Sequence, residues 1–302
     1  MGTHTGLSRV WLVYAMVLVV AACGGGALTG VGPGPGSDPE VEPESGSPGW
    51  IVQCPFSHAL ADDPIVHFGH AGASHLHDFF ANRSTNASST YSSMATSETT
   101  CSPTSGDTAG YWTPALYRDG VKIDPAGSYG GRNARQRFYY RKNNLASTTR
   151  IHAPPPDLRV VVGNAGAMTA ADNPLLGREI YWGCADNSTG KLKEPPTSCS
   201  VGIISLHVGF PNCWDGRNPD SADHRSHLAY PKSGACPATH PVAIPRIIMR
   251  LEFPVGTTTG NITLASGSVY SIHGDFWNTW DQSRLQKLTD DCLNRNVDCG
   301  RL

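Results

Sequence analysis

The chain has 302 residues, with 23 Lys and Arg against 25 Asp and Glu and a formal net charge of −2 at neutral pH. No basic run or aromatic-basic interleaving occurs, which argues against a nucleic-acid partner. The length suits one large β-sandwich or barrel behind a leader.

Near the N-terminus, Arg9 is the one strong cation before an apolar run from Val10 to Ala22. A mature transmembrane helix needs about 20 apolar residues, so this shorter run reads as the core of a secretory signal over residues 1–22. Val20-Ala21-Ala22-Cys23 resembles a bacterial lipobox, in which the cysteine is acylated. Lipidation is therefore expected at Cys23, and this lipid is the only membrane contact expected. Residues 23–49 are Gly, Pro, Ser and acid, with Asp38, Glu40, Glu42 and Glu44. So few large apolar side chains cannot offset the entropy of ordering, and the segment reads as a flexible tether. Residues 50–302 are then a single domain at the cell surface or in the periplasm.

Short apolar or alternating runs recur through that domain: Pro64–Phe68, Gln136–Arg141, Leu158–Val162, Glu179–Trp182, Val201–Val208, Ile244–Phe253 and Val269–His273. Clusters of Gly, Pro, Asn and Asp separate them. The pattern predicts a mainly β fold, a single large β-sandwich or jelly-roll-like domain with long loops. One helix is predicted near the C-terminus, where Asp281 can cap a segment whose Leu285, Leu288 and Cys292 share a face.

Nine cysteines are present. With Cys23 assigned to lipid, eight remain, and an even number in an exported chain reads as disulfides. Sequence proximity pairs Cys184 with Cys199, Cys213 with Cys236 and Cys292 with Cys299, leaving Cys54 for Cys101. No paired C-x-x-C spacing suggests cysteine-bound metal.

Three clusters carry chemistry. The first is Ser74-His75-Leu76-His77-Asp78-Phe79-Phe80, in which His75 and His77 share a face if the stretch is extended. Two such imidazoles can ligate a divalent metal, or divide acid and base roles with Asp78 orienting one of them; the bland alternative is a pair of structural histidines. The second runs from Cys213 to Pro231 and holds Asp215, Asp220, Asp223, His224, Arg225, His227 and Tyr230. It is too polar for a core strand, and function concentrates on such loops when a rigid scaffold holds them. His224 and His227 would converge on one helical turn. The third runs from His273 to Asp281: His273 and Asp275 share a face if extended, while Trp277 and Trp280 are either sugar-stacking platforms or core. No phosphate-binding Gly loop, G-x-S-x-G elbow or H-E-x-x-H occurs.

At these clusters the chain resembles a family of secreted proteins known only as a domain of unknown function. That family occurs in bacterial exported proteins and in fungal proteins, sometimes beside WSC or other carbohydrate-binding modules. The resemblance covers nearly all of 55–292. It rests on Asp63-Pro64-Ile65-Val66, the His75–Phe80 stretch, Tyr111–Tyr117, Phe210–Gly216, Asp220–Pro231, Cys236–Pro241 and His273–Asp281. The family usually has Gly where this chain has Ala81, and often Gly where it has Thr279. The resemblance implies an extracellular setting and, through domain company, a link to polysaccharide or cell wall; it carries over no reaction.

The function expected is therefore action on cell-wall or extracellular polysaccharide, as a glycan hydrolase or lyase, with the three clusters meeting in one cleft. Asp215, Asp223, Asp275, His224 and His273 are the expected acid-base set. His227, Tyr230, Trp277, Trp280 and Arg225 are expected to bind substrate. His75 and His77 are expected to bind a divalent metal, with zinc, copper and manganese suiting imidazole and carboxylate donors. The alternative is a non-catalytic wall- or glycan-binding lipoprotein.

Overall fold

A computed structural model describes residues 46–302; the expected signal peptide, the expected lipidation site Cys23 and most of the expected tether lie outside the described residues. The first strand begins at Gly49. Two antiparallel-dominated sheets form the body. The six-stranded sheet runs, in spatial order, Ile180–Cys184, Ile203–Gly209, Arg246–Pro254, Gln136–Arg141, Gly49–Gln53 and Asp298–Arg301. Its last pair is parallel. The five-stranded sheet runs Arg159–Gly163, His273–Trp277, Gly110–Pro114, His77–Ala81 and Phe56–Leu60.

The sheets face one another as a β-sandwich because each strand alternates side chains between its two faces. Phe80, Tyr111 and Phe276 of the five-stranded sheet meet Phe138, Val208 and Met249 of the six-stranded sheet in one core. The Tyr111 and Phe138 rings lie 4.0 Å apart. The sheets lie close at Gly274, where an added Cβ would come within 2.5 Å of Met249 Cε. Tyr111, Tyr140, Trp280 and Asp107 form a buried polar chain in this interior. Tyr111 Oη lies 2.5 Å from Tyr140 Oη and donates to Asp107 at 2.8 Å, and Trp280 Nε1 donates to Tyr140 Oη at 2.7 Å.

The predicted C-terminal helix is present as Gln282–Leu288, extended by one π turn over Thr289–Leu293. Asp281 caps it by accepting from Arg284 N at 3.0 Å, and Leu285, Leu288 and Cys292 are buried. Two expected strands are turns instead. At Pro64–Phe68 the Asp63 carboxylate accepts from the amides of Ile65 and Val66, a local bond that closes a turn. At Val269–Ser271 the Ser268 hydroxyl caps a short 3₁₀ turn, and the strand starts at His273. Ala81 has φ 65°, the left-handed region where glycine is favoured.

Disulfides join Cys54–Cys101, Cys184–Cys199, Cys213–Cys236 and Cys292–Cys299, the pairs given by sequence proximity. Four such bonds are the mark of an oxidising compartment outside the reducing cytosol. Among the described residues, no helix is long and apolar enough to cross a membrane.

Candidate metal centre

The outer face of the five-stranded sheet is the alternate set of side chains: His77 and Phe79, Trp112, His273, Asp275 and Trp277, and Val161. Ile65, Phe79, Met94, Trp112, Val161 and Trp277 form a second, smaller core on this face. At one end of that core the imidazoles meet. His77 pairs with Pro114 across the sheet, and Asp275 pairs with Trp112, so continuing the register sets His273 opposite Pro114 from the other side. His77 and His273 thus flank a proline at a separation of two strand spacings, roughly 9.6 Å. Proline's short ring leaves the space above it to the two imidazoles.

They fill it. His77 Nε2 lies 3.1 Å from His273 Nε2, and His75 Nε2 lies 3.2 Å from the same atom. The far nitrogen of each buried ring is fixed by the backbone. His77 Nδ1 lies 2.9 Å from the Asp62 carbonyl and His273 Nδ1 lies 2.9 Å from the Ser271 carbonyl. A carbonyl only accepts, so each Nδ1 carries the proton and donates it. A neutral ring then presents a bare lone pair at Nε2. Lone pairs facing one another at this distance repel unless a cation or a proton sits between them. Protonation is opposed: burial, followed by the charge of a neighbouring histidine, pushes both His77 and His273 down to about 3. Burial also lowers the half-buried His75.

Asp275 lies beside this cluster with zero exposure, and neither of its oxygens has a hydrogen-bond partner among the described residues. Buried carboxylates are ordinarily paired. Its Oδ2 is 4.0 Å from His273 Nε2. Burial, reinforced by the charge of Asp63, raises Asp275 well above the usual carboxylate range. Donor atoms of His75, His77 and His273 lie within 4.8 Å of one another, as do those of Asp63, His77 and Asp275.

The residues present fit a divalent cation. Tetrahedral zinc with bonds of about 2.0–2.1 Å to nitrogen places neighbouring donors roughly 3.3 Å apart, close to the observed separations. Backbone carbonyls on the opposite ring nitrogens are the customary support for metal-ligating histidines. A carboxylate without a proton donor completes a set that suits zinc, copper or manganese.

Sequence reasoning paired His75 with His77 and His273 with Asp275, and the fold brings both pairs to one place. It missed Asp63 and Asp62. Asp62 ties down the covering segment by accepting from the amides of Gly72 and Ala87, and its carbonyl orients His77. The signal for Asp63 was its position before Pro64 within a quoted motif. Asp78 orients no histidine. Strand alternation turns it to the opposite face, where it meets Lys122 Nζ at 2.8 Å.

The Cys213–Pro231 loop does not join the cluster. Asp215 accepts from the amides of Arg217 and Asn218, and Asp223 from those of Arg225 and Ser226. These bonds, together with side-chain bonds to neighbouring serines for Asp223, hold both carboxyls below their usual range. Such anions are turn-formers and poor proton acceptors. His224 forms no helical turn with His227: it sits at φ 57° and its Nδ1 lies 2.9 Å from Asp220. His227 is locked between Ser221 Oγ and the Arg159 carbonyl, each at 2.8 Å. Tyr230 donates to the Gly209 carbonyl. Trp277 and Trp280 are fully enclosed, with their indole N–H groups donated to Asp157 and Tyr140, so neither offers a face to a sugar. Arg225 alone reaches toward the centre, donating to the carbonyl of Gly163, the strand partner of His273.

A family model described as Domain of unknown function (DUF1996) matches residues 63–280, from Asp63 through the last strand of the site to Trp280. The chain belongs to the DUF1996 family. The matched stretch includes all of His75, His77, His273, Asp63 and Asp275. No curated protein and no solved structure matches the chain.

Proposed function

We propose that this DUF1996 protein is an extracytoplasmic metalloenzyme, tethered through a lipid on Cys23, that cleaves cell-wall or extracellular polysaccharide. The observation that supports the reading is the convergence of three imidazole Nε2 atoms, two with their far nitrogens fixed by carbonyls, beside a buried carboxylate that lacks any donor. His75, His77 and His273 hold the cation, with Asp275 or Asp63 as the oxygen donor. A divalent ion there supplies polarisation of a substrate oxygen or a nucleophile at neutral pH. His75 is half-buried whereas His77 and His273 are enclosed, so substrate approaches from the His75 side. The second core seals the other side with Trp112, Phe79 and Trp277. The polysaccharide follows from the exported setting and the resemblance to a family found beside carbohydrate-binding modules.

The test is elemental analysis of untagged protein, with reducing-end release from a panel of wall polysaccharides measured in parallel. About one equivalent of a transition metal is expected after dialysis, lost in His75→Gln, with product release lost alongside it. Metal-free wild type after loading and dialysis would overturn the centre. Stoichiometric metal with no product from any polysaccharide would leave the centre and remove the reaction.

A further inference from the structure

Among the described residues, the indole N–H groups of Trp50, Trp112 and Trp182 are buried without a hydrogen-bond partner. Trp50 and Trp182 lie in the main core between the sheets, whereas Trp112 belongs to the second core on the outer face, beside the imidazole cluster. A buried indole N–H usually finds an acceptor. Trp277, a neighbour in the same small core, donates to Asp157 at 2.7 Å. Trp112 is fully enclosed and donates to nothing there.

The direction of this N–H follows from its packing. A Cβ added at Gly110 would lie 3.2 Å from Trp112 Cζ3, so the six-membered ring leans back along its own strand toward Gly110. In an indole the Cδ1–Nε1 edge is opposite the Cε3–Cζ3 edge. The N–H therefore faces the other way along the strand, toward Pro114. That is the end at which His77 and His273 meet. Asp275 is the direct cross-strand partner of Trp112, and side chains so paired start from Cβ atoms about 4.5–5.5 Å apart. Its Oδ2 leans the same way, 4.0 Å from His273 Nε2. A donor without an acceptor and a carboxylate without a donor thus stand side by side, and both face the imidazoles.

We propose that Trp112 is a positioning residue of the metal centre, whose indole N–H holds one oxygen of Asp275 so that the other faces the cation. The inference rests on the reading of His75, His77 and His273 as ligands, and it chooses between the two candidate carboxylates. Asp63 already spends Oδ1 on the amides of Ile65 and Val66, whereas Asp275 has both oxygens to give. A ligating carboxylate is itself hydrogen-bonded as a rule, and that outer bond fixes its orientation. An indole suits the task because it only donates and cannot compete for the cation. Its ring is held in place by Phe79, with ring centres 5.4 Å apart. The apolar side chains of Ile65, Phe79 and Val161 around it lower the local dielectric, which strengthens the bond.

The test is a titration of zinc into metal-free wild type, Trp112→Phe and Asp275→Ala, with the indole N–H and imidazole resonances followed by NMR. In wild type the Trp112 N–H should move downfield and exchange more slowly with solvent as the imidazoles respond. The Trp280 N–H, held by Tyr140, should stay put in all three proteins and reports that each is folded. Trp112→Phe keeps an aromatic ring without the donor and should bind zinc at least about tenfold more weakly. In Asp275→Ala the imidazoles should still respond while the Trp112 N–H does not. A Trp112 resonance that ignores zinc while the imidazoles respond would overturn the inference and leave the metal centre standing. So would unchanged zinc affinity in Trp112→Phe, or an undiminished Trp112 shift in Asp275→Ala. Imidazoles that do not respond in wild type would remove the metal centre and this inference together.

Discussion

The molecule has two regions dense in histidine and aspartate, and they differ in where their hydrogen bonds end. In the Cys213–Pro231 loop, the side chains of Asp215, Asp220, Asp223, His224 and His227 bond mainly to amides, hydroxyls or one another over short distances in the chain, with Arg159 a distant partner of His227 and Asp220. At the sheet, His77 and His273 satisfy one nitrogen each and turn the other toward a common point, and Asp275 satisfies neither oxygen. A side chain that completes its own loop is shaping backbone. Side chains nearly 200 residues apart in the chain that meet at the sheet instead keep bonding capacity that the described residues do not use.

If those atoms await a cation, removing it should produce the largest effect. A ligand that binds only the folded state at a thousandfold excess over its Kd adds about 4 kcal/mol of stability. Chelation should therefore lower the Tm of wild type by many degrees while leaving His77→Ala, which has nothing to lose, unchanged. Scanning calorimetry with and without chelator checks this. Equal melting of chelated and loaded wild type would return the three imidazoles to a structural role.

A smaller effect is expected one strand away. Gly163 pairs with His273 at φ 90°, and a Cβ added there would lie 2.7 Å from His273 Cα and would strike the Ile272 carbonyl. Gly163→Ala pushes the His273 backbone directly, at a cost of about 1–3 kcal/mol for the left-handed conformation alone. Metal affinity should fall with stability. Loss of stability at unchanged metal affinity would show that His273 is not a ligand.

Asp107 offers a contrast to Asp275, because its oxygens are used: it accepts from Ala109 N at 2.9 Å and from the Tyr111 hydroxyl. Burial nonetheless raises it to about 7. A carboxyl whose folded value is raised binds its proton more tightly in the folded state than in the unfolded chain, where it titrates near 4. Its contribution is therefore most favourable below about 4 and is lost as pH rises through 7, with a slope of at most about 1.4 kcal/mol per pH unit. Asp107→Asn, which keeps an acceptor for Ala109, should flatten that slope in chemical denaturation between pH 4 and 7. An unchanged slope would place the titration elsewhere.

Much of this architecture was legible in the chain. The runs Gln136–Arg141 and Ile244–Phe253 marked the strands found at Gln136–Arg141 and Arg246–Pro254, and Asp281 with Leu285 and Leu288 marked the helix, because these signals are local. Spacing of two residues put His75 with His77 and His273 with Asp275. Their meeting in one cleft was an expectation that no local pattern dictates, since it depends on Gly110–Pro114 inserting between the two strands. The loop misled for the opposite reason. Its acids and histidines looked catalytic by composition, but Asp and Ser close turns on nearby amides more readily than they wait for substrate. Trp277 and Trp280 could be platforms or core by sequence, and both are core: Trp277 lies in the second core on the outer face and Trp280 in the main core.

The smallest effect concerns that loop and discriminates best between the two regions. Asp223 Oδ1 accepts from Ser226 N at 2.9 Å, Arg225 N at 3.1 Å and the Ser221 hydroxyl at 2.7 Å. The Ser221 hydroxyl in turn meets His227, which is tied to the Arg159 carbonyl. Asp223→Asn keeps an acceptor oxygen and removes the charge, so it weakens the turn by about 1 kcal/mol or less. As a catalytic acid or base, Asp223 would cost orders of magnitude in rate when replaced by an amide that cannot transfer a proton. As a turn-former it should cost little of either rate or metal, with a slight fall in Tm. Rate, metal content and melting of this one variant, measured side by side, therefore decide whether the loop shares in the chemistry or only holds Arg225 against the strand that pairs with the one carrying His273.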